Sequence, residues 1–138
     1  MDSLSAASAS AYSGLSAQSQ RMRTIAENLA NAESTGNTPG ADPYRRKLVS
    51  FKSTLDEVSG AELTRIGSVE YDMSAFPIEY SPGPPAADSK GYVKLPNVSM
   101  LVEMADMREA SRSYEANLQT IRQAREMSAG LVDLLRST

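Results

Sequence analysis

The residue types that could support chemistry in this chain are serines, dispersed carboxylates and one short basic cluster. The 138 residues include no histidine and no cysteine, which removes His-based acid–base catalysis, thiol chemistry, disulfides and zinc sites built on these ligands. The serines therefore have no histidine to activate them, and no phosphate-loop or metal-ligand spacing occurs. The sequence predicts no enzyme, no metal site and no cofactor.

The basic cluster is Tyr44-Arg45-Arg46-Lys47. Such a cluster could bind phosphate, nucleic acid or an acidic protein. The chain has a net charge of −3, and the cluster has no glycine-rich cradle and no interleaved aromatic residues. A solvated or protein-facing patch is the better interpretation, and no nucleic-acid partner is predicted.

Asparagines occupy unusual places in the predicted helices. Asn28 and Asn31 lie three residues apart beside an apolar seam, although asparagine is a mediocre helix former. An asparagine beside a seam can bond a neighbouring helix and fix its register, whereas the alternative is a solvent-facing residue near a helix end. Asn117 holds the equivalent place beside Leu118 in a second predicted helix, which favours register setting.

Two segments have helical periodicity. Apolar residues recur in alternating steps of four and three from Leu4 to Ala32, which predicts a helix over Ser3–Glu33. Gly and Pro within Ser34–Gly40 then end it. Pro96–Ser99 marks the start of a second helix that continues to Thr138 and spans roughly 60 Å. Such a length suits a rod-like assembly or a coiled coil.

The middle of the chain is different, because all seven prolines fall within residues 37–97. Short β-type runs are predicted at residues 47–51, 63–71, 78–80 and 92–95. The predicted fold is therefore mainly α with a small β insert, in which long N- and C-terminal helices pair as a coiled-coil-like core. The three parts of this single discontinuous domain are an N-terminal helix (1–36), an irregular β-containing insert (37–97) and a C-terminal helix (98–138).

Large apolar residues are scarce. Leu, Ile, Val and Phe together make up 25 of the 138 residues, which is below the level of a comfortable core. We therefore expect apolar stripes that are fully buried only when another chain is present. Met1–Ala7 lacks the basic and apolar regions of an ordinary secretory signal, and no apolar run is long enough for a membrane span, so no direct membrane insertion is predicted.

Four motifs give the chain a family resemblance. "GLSAQSQRMRTIAENLANAESTG" (residues 14–36) is similar to the N-terminal signature of flagellar axial proteins, the rod, hook and related subunits. "ASRSYEAN" (residues 110–117) resembles their C-terminal motif. "PYRRKLVSF" (residues 43–51) and "GYVKLPNVSMLVEMADM" (residues 91–107) narrow the resemblance to proximal rod subunits of the basal body. The matched positions of the first motif are Ala17-Gln18, Arg21, Ile25–Asn31 and Thr35-Gly36.

The resemblance implies a structural subunit of the flagellar basal-body rod, the periplasm-spanning shaft that transmits torque. It implies as partners other rod subunits, the adaptor that joins the rod to the MS ring, and the type III export apparatus. The terminal helices would pair and pack against neighbouring subunits, with the Asn-bearing turns facing a neighbour. The residues expected to pack between subunits are Leu15, Met22, Ile25, Asn28, Leu29, Asn31, Met104, Met107, Arg112, Tyr114, Asn117, Leu118 and Ile121.

Two other interpretations stay open. An export adaptor or chaperone would also bind partners through amphipathic helices, but it would dissociate from them instead of remaining in purified basal bodies. A serine or carboxylate hydrolase with its site in the Pro-rich insert ranks third, because the acid–base groups are not clustered.

Overall fold

The computed structural model describes residues 3–138, so Met1 and Asp2 of the predicted N-terminal segment lie outside the described residues. A long helix precedes and another follows a small β-containing insert in the sequence, which confirms the mainly α prediction. All four predicted β runs form strands. The elements are α1 (Ser3–Ala30), β1 (Lys47–Leu55), β2 (Glu62–Tyr71), β3 (Ile78–Tyr80), β4 (Tyr92–Lys94) and α2 (Met100–Arg136).

Helix α1 ends at Ala30, earlier than the predicted Glu33. The Asn31 side-chain amide donates to the carbonyl of Glu27 at 2.9 Å, and its carbonyl oxygen accepts from the Ser34 hydroxyl at 3.1 Å. The Glu27 carbonyl also accepts from the Asn31 backbone N–H at 3.1 Å, so Asn31 bonds back to the last turn of the helix through both its backbone and its side chain. The helix therefore stops where Asn31 bonds back to Glu27 and forward to Ser34.

Helix α2 begins at a serine. The Ser99 carbonyl accepts from the Glu103 backbone N–H at 2.9 Å, while the Ser99 hydroxyl accepts from Val102 at 3.5 Å. Ser99 is thus the N-cap, and it is the last residue of the Pro96–Ser99 segment that predicted the start of this helix. The helix continues for 37 residues, which corresponds to about 55 Å.

The insert contains two separate two-stranded sheets, β1–β2 and β3–β4. The turn after β1 closes through a hydrogen bond from the Asp56 N–H to the Ala61 carbonyl, and Gly60 adopts a φ of 68° that favours glycine. Strands β3 and β4 are antiparallel, with Tyr80 opposite Tyr92 and their rings edge to face at 5.4 Å.

The chain divides into two compact units. Unit 1 consists of α1 up to Met22, Ser50–Ser68 and Arg108–Thr138, and unit 2 consists of Arg23–Val49 and Val69–Met107. Each helix contributes a segment to both units. No helix within residues 3–138 combines the length and the apolar character needed to cross a membrane.

Small side chains dominate the buried interior of unit 1. They allow α1 and α2 to approach closely there, and Gly14 marks the tightest place: a Cβ on it would lie 2.8 Å from Nδ2 of Asn117. Unit 2 buries fewer aliphatic residues and relies more on polar contacts. The buried apolar residues are Ala11, Ala17, Ala61, Ala110, Ile121 and Ala124 in unit 1, and Ile25, Ala86 and Val93 in unit 2.

Candidate functional site: packing surfaces of the terminal helices

Asn28 is the polar hub of unit 2 and is only 1% exposed. Its side-chain amide donates to the Lys47 carbonyl at 2.9 Å and to Oε2 of Glu103 at 3.2 Å. Its carbonyl oxygen accepts from the Tyr44 hydroxyl at 2.8 Å and from the Lys47 backbone N–H at 3.0 Å. One side chain thereby connects the end of α1 with β1 and with the start of α2.

Arg46 completes this hub by contacting three carboxylates. Its Nε donates to Oε1 of Glu103, whose side chain is fully buried. Its Nη1 lies 3.4 Å from Oδ2 of Asp72, and its Nη2 lies 3.3 Å from Oδ2 of Asp106. A buried carboxylate requires such a partner, because an unpaired charge in the interior is strongly destabilising.

The other members of the basic cluster also bind within unit 2. The Arg45 guanidinium stacks over the Phe76 ring at 4.1 Å and donates to the Asp72 carbonyl at 2.8 Å. Lys47 pairs with Glu27 at 3.0 Å. The cluster is therefore protein-facing, one of the two possibilities that the sequence left open, and its contacts are with residues of the same chain.

The hub changes the proton affinity of its members. Burial is the largest influence on Tyr44 and raises the pKa of its hydroxyl. Burial is the largest single influence on Arg46 and would lower its pKa, but the hydrogen bonds and charges of Glu103, Asp72 and Asp106 together outweigh it and raise that pKa. The hydrogen bond that Lys47 donates to Glu27 raises the pKa of Lys47. Arg46 and Lys47 are thus held in their charged forms.

Sequence reasoning missed Glu103, Asn97 and Asp72. The local signal for Glu103 is its place in the first turn of α2, where a carboxylate is favoured, and that signal does not identify Arg46 as its partner. Asn97 accepts from the Arg46 backbone N–H at 2.8 Å and donates to the Asp72 carbonyl at 2.9 Å; no local pattern indicates that pairing.

In unit 1, Asn117 lies where α1 and α2 approach each other closely. The Asn117 amide donates to the carbonyl of Ser113 in its own helix at 3.0 Å, and the side chain occupies the space that Gly14 leaves open. Arg21 lies 3.6 Å from Glu109, and Arg125 donates to the Tyr12 hydroxyl at 2.6 Å. The α1 and α2 segments of unit 1 therefore contact each other directly.

The structure distributes the predicted packing residues over three levels of exposure. For Asn28 to contact a neighbouring subunit directly, its four hydrogen bonds within unit 2 would have to be exchanged for bonds to that subunit. The packing role of the whole set stays a prediction. Ile25, Asn28 and Ile121 are buried; Leu15, Met22, Leu29, Asn31, Met107, Tyr114, Asn117 and Leu118 are half-buried; Met104 and Arg112 are exposed.

Large apolar side chains remain uncovered on α2 in both units. In unit 1 the C-terminal turns, residues 127–135, expose five of them and form one wall of an apolar groove of about 400 Å³ beside Leu4. Such exposed apolar area is typical of a surface that binds another protein. The exposed side chains are Met127, Leu131, Val132, Leu134 and Leu135 in unit 1, and Met100, Leu101, Val102 and Met104 in unit 2.

Within residues 3–138, no group of three or more histidine, cysteine, aspartate or glutamate side chains is placed so that it could hold a metal ion. Two family models match the helical parts of the chain. The model described as flagella basal body rod protein matches residues 9–41, and the model described as flagellar basal body rod FlgEFG protein C-terminal matches residues 89–134. A two-helix subunit with these signatures is a structural protein of the flagellar basal-body rod.

Curated relatives narrow the class. A flagellar basal-body rod protein FlgC from Agrobacterium fabrum is 59% identical over 138 residues, covering 100% of this chain and 99% of the relative. The FlgC of Escherichia coli O6:H1 is 40% identical, covering 85% and 87%, and that of Borreliella burgdorferi is 37% identical, covering 91% and 93%. The chain belongs to the FlgC family of flagellar basal-body rod proteins. It is a structural subunit located in the rod, where it assembles with other basal-body components.

Proposed function

We propose that this subunit assembles through its terminal helices, which pair in a coiled-coil-like manner and pack against neighbouring rod subunits in the shaft that transmits torque. The single observation that carries the proposal is the row of uncovered apolar side chains on α2. Leu134 and Leu135 are 65% and 78% exposed. Full burial of a leucine contributes about 1.5–3 kcal/mol, so the two together provide a substantial driving force for association.

The finer assignments belong to the same proposal. The three-part division (1–36, 37–97, 98–138) would place the helices in the wall of the shaft and project the insert from it. Among the predicted packing residues, Met104 and Arg112 are exposed and are available for direct contact with a neighbouring subunit. The half-buried residues would contact that subunit through the parts of their side chains that remain exposed along the apolar seam. The buried ones would shape the surface from inside.

The remaining partners are proposed from family membership. They are the adaptor that joins the rod to the MS ring and the type III export apparatus. The scarcity of clustered acid–base groups supports a purely structural, non-enzymatic role. The export adaptor or chaperone alternative is not favoured, because the relatives are rod proteins over their full length.

The test replaces Leu134 and Leu135 by serine in a strain that lacks its own copy of the gene. We expect the variant to be exported normally, but to be depleted from purified basal bodies and to restore little motility in soft agar. The matched control is Gln119→Ser with Gln123→Ser, which changes two exposed polar residues on the same helix and should behave as the parent.

Two outcomes would contradict the proposal. Normal recovery of the leucine variant in basal bodies would show that these side chains are not a packing surface. The second outcome is that cells need the parent protein for motility but their purified basal bodies do not contain the protein. That result would instead support an export adaptor or chaperone.

A further inference from the structure

Unit 2 has few large buried aliphatic side chains with which to specify how its segments fit together. Its buried apolar residues are Ile25, Ala86 and Val93, whereas Met100 and Leu101 at the start of α2 point outward. Interdigitation of large side chains is what normally distinguishes one packing arrangement from a neighbouring one. Something else must select the arrangement here.

The polar hub provides that selection. Glu103 is 0% exposed, and its two oxygens bind different partners, Arg46 and Asn28. A shift of α2 by one turn would move the carboxylate by about 5.4 Å, which is beyond the reach of both hydrogen bonds. The shifted arrangement would leave a buried charge without a partner, a strongly unfavourable state.

We propose that Arg46 and Glu103 are specificity-determining residues of the subunit. They select one way of packing the end of α1, strand β1 and the start of α2 against one another, among several arrangements with similar apolar packing. The pair acts as a positioning device: it fixes where α2 begins and therefore where Met104, the exposed residue next to Glu103, is presented. The proposal concerns the folded subunit and does not rest on the assembly surface proposed above.

The backbone around the pair supports this role. The Arg46 N–H donates to Asn97 at 2.8 Å, and the Lys47 N–H donates to Asn28 at 3.0 Å. The residue that carries the guanidinium is thus itself fixed from both sides. A rigid cation facing a fully buried anion discriminates between arrangements more sharply than a flexible surface pair does.

The test compares Arg46→Met/Glu103→Met with Arg46→Met alone in the full chain. The double variant removes both charges and keeps comparable side-chain volume, so we expect its unfolding equilibrium constant to stay within about tenfold of the parent. We expect its ¹H–¹⁵N spectrum to show more than one resonance for the backbone N–H groups of residues 46 and 47, which bond to Asn97 and Asn28 in the parent. The single variant leaves the fully buried Glu103 carboxylate without its cation and should raise the unfolding constant about a hundredfold or more.

The matched control is Glu27→Met/Lys47→Met, which removes an ion pair at the surface of the same unit. It should show one resonance per amide, as in the parent. A double variant of Arg46 and Glu103 with single resonances would overturn the proposal, because the arrangement would then be selected without the charges. An unfolded double variant would also overturn it, since the pair would then be a source of stability and not of specificity.

Discussion

The contact between Gly14 and Asn117 allows a prediction in which the same substitution changes sign with its background. Alanine is favoured over glycine in a helix interior by about 1 kcal/mol. At Gly14 the added Cβ would lie 2.8 Å from Nδ2 and 2.9 Å from Oδ1 of Asn117, closer than side-chain atoms normally approach. Such overpacking costs about 1–3 kcal/mol. Gly14→Ala should therefore destabilise the subunit by about 1 kcal/mol.

In an Asn117→Ala background the obstructing atoms are absent, so Gly14→Ala should stabilise by about 1 kcal/mol, the helix-propensity difference. The coupling between the two sites is then about 2 kcal/mol, well above the additive limit for independent positions. The assay is urea unfolding of the four proteins of this double-mutant cycle, followed by far-UV circular dichroism. Equal effects of Gly14→Ala in both backgrounds would refute the reasoning, because Asn117 would then be free to move aside.

Two further outcomes are expected of the isolated subunit. In hydrogen exchange, the backbone amides of residues 127–135 should exchange rapidly because the apolar side chains of this segment are exposed, whereas the amides around buried Ala110 should be protected. Strong protection throughout residues 4–32 and 100–135 would contradict this expectation, because the helix pair would then be stable without neighbours. The second outcome concerns acid unfolding. Ser74 donates a backbone and a side-chain hydrogen bond to Asp72, and together with Arg46 these bonds lower the pKa of the Asp72 carboxyl below its ordinary 3.8. The stabilisation from the ionised Asp72 is therefore present above about pH 4 and is lost as the pH falls through the lowered pKa. The unfolding midpoint of Asp72→Asn measured from pH 5 to 2.5 should therefore depend less on pH than that of the parent, and an unchanged slope would contradict this assignment.

Local patterns predicted the elements well, because periodicity and turn chemistry are encoded within each segment. The α2 start at Ser99, the insert strands and the stop after α1 all follow from a few neighbouring residues. The coarse class followed from longer motifs in the same way. What these patterns could not give is the pairing of β1 with β2 and of β3 with β4 in separate sheets, since pairing depends on how distant segments meet.

The asparagines show where local reasoning ends. Asn28 and Asn31 looked alike in the sequence, yet Asn28 is the buried hub of unit 2 and Asn31 bonds back to the last turn of its own helix. The difference arises because β1 passes Asn28 and the helix stops at Asn31, and only the second event has a local signal. Glu103 presents the same problem, because its partner Arg46 lies 57 positions away in the sequence.

The distribution of side-chain size explains how a chain with few large apolar residues can serve an assembly. The interior of unit 1 is built mostly from alanines, such as Ala17 and Ala110, which bring the helices together without consuming large side chains. The larger residues, such as Leu101 and Leu135, are left on the outside. Alanine burial contributes little per residue, whereas each leucine covered by a neighbour contributes about 1.5–3 kcal/mol. The assembly surface proposed above would therefore bury large side chains that folding of the subunit leaves exposed.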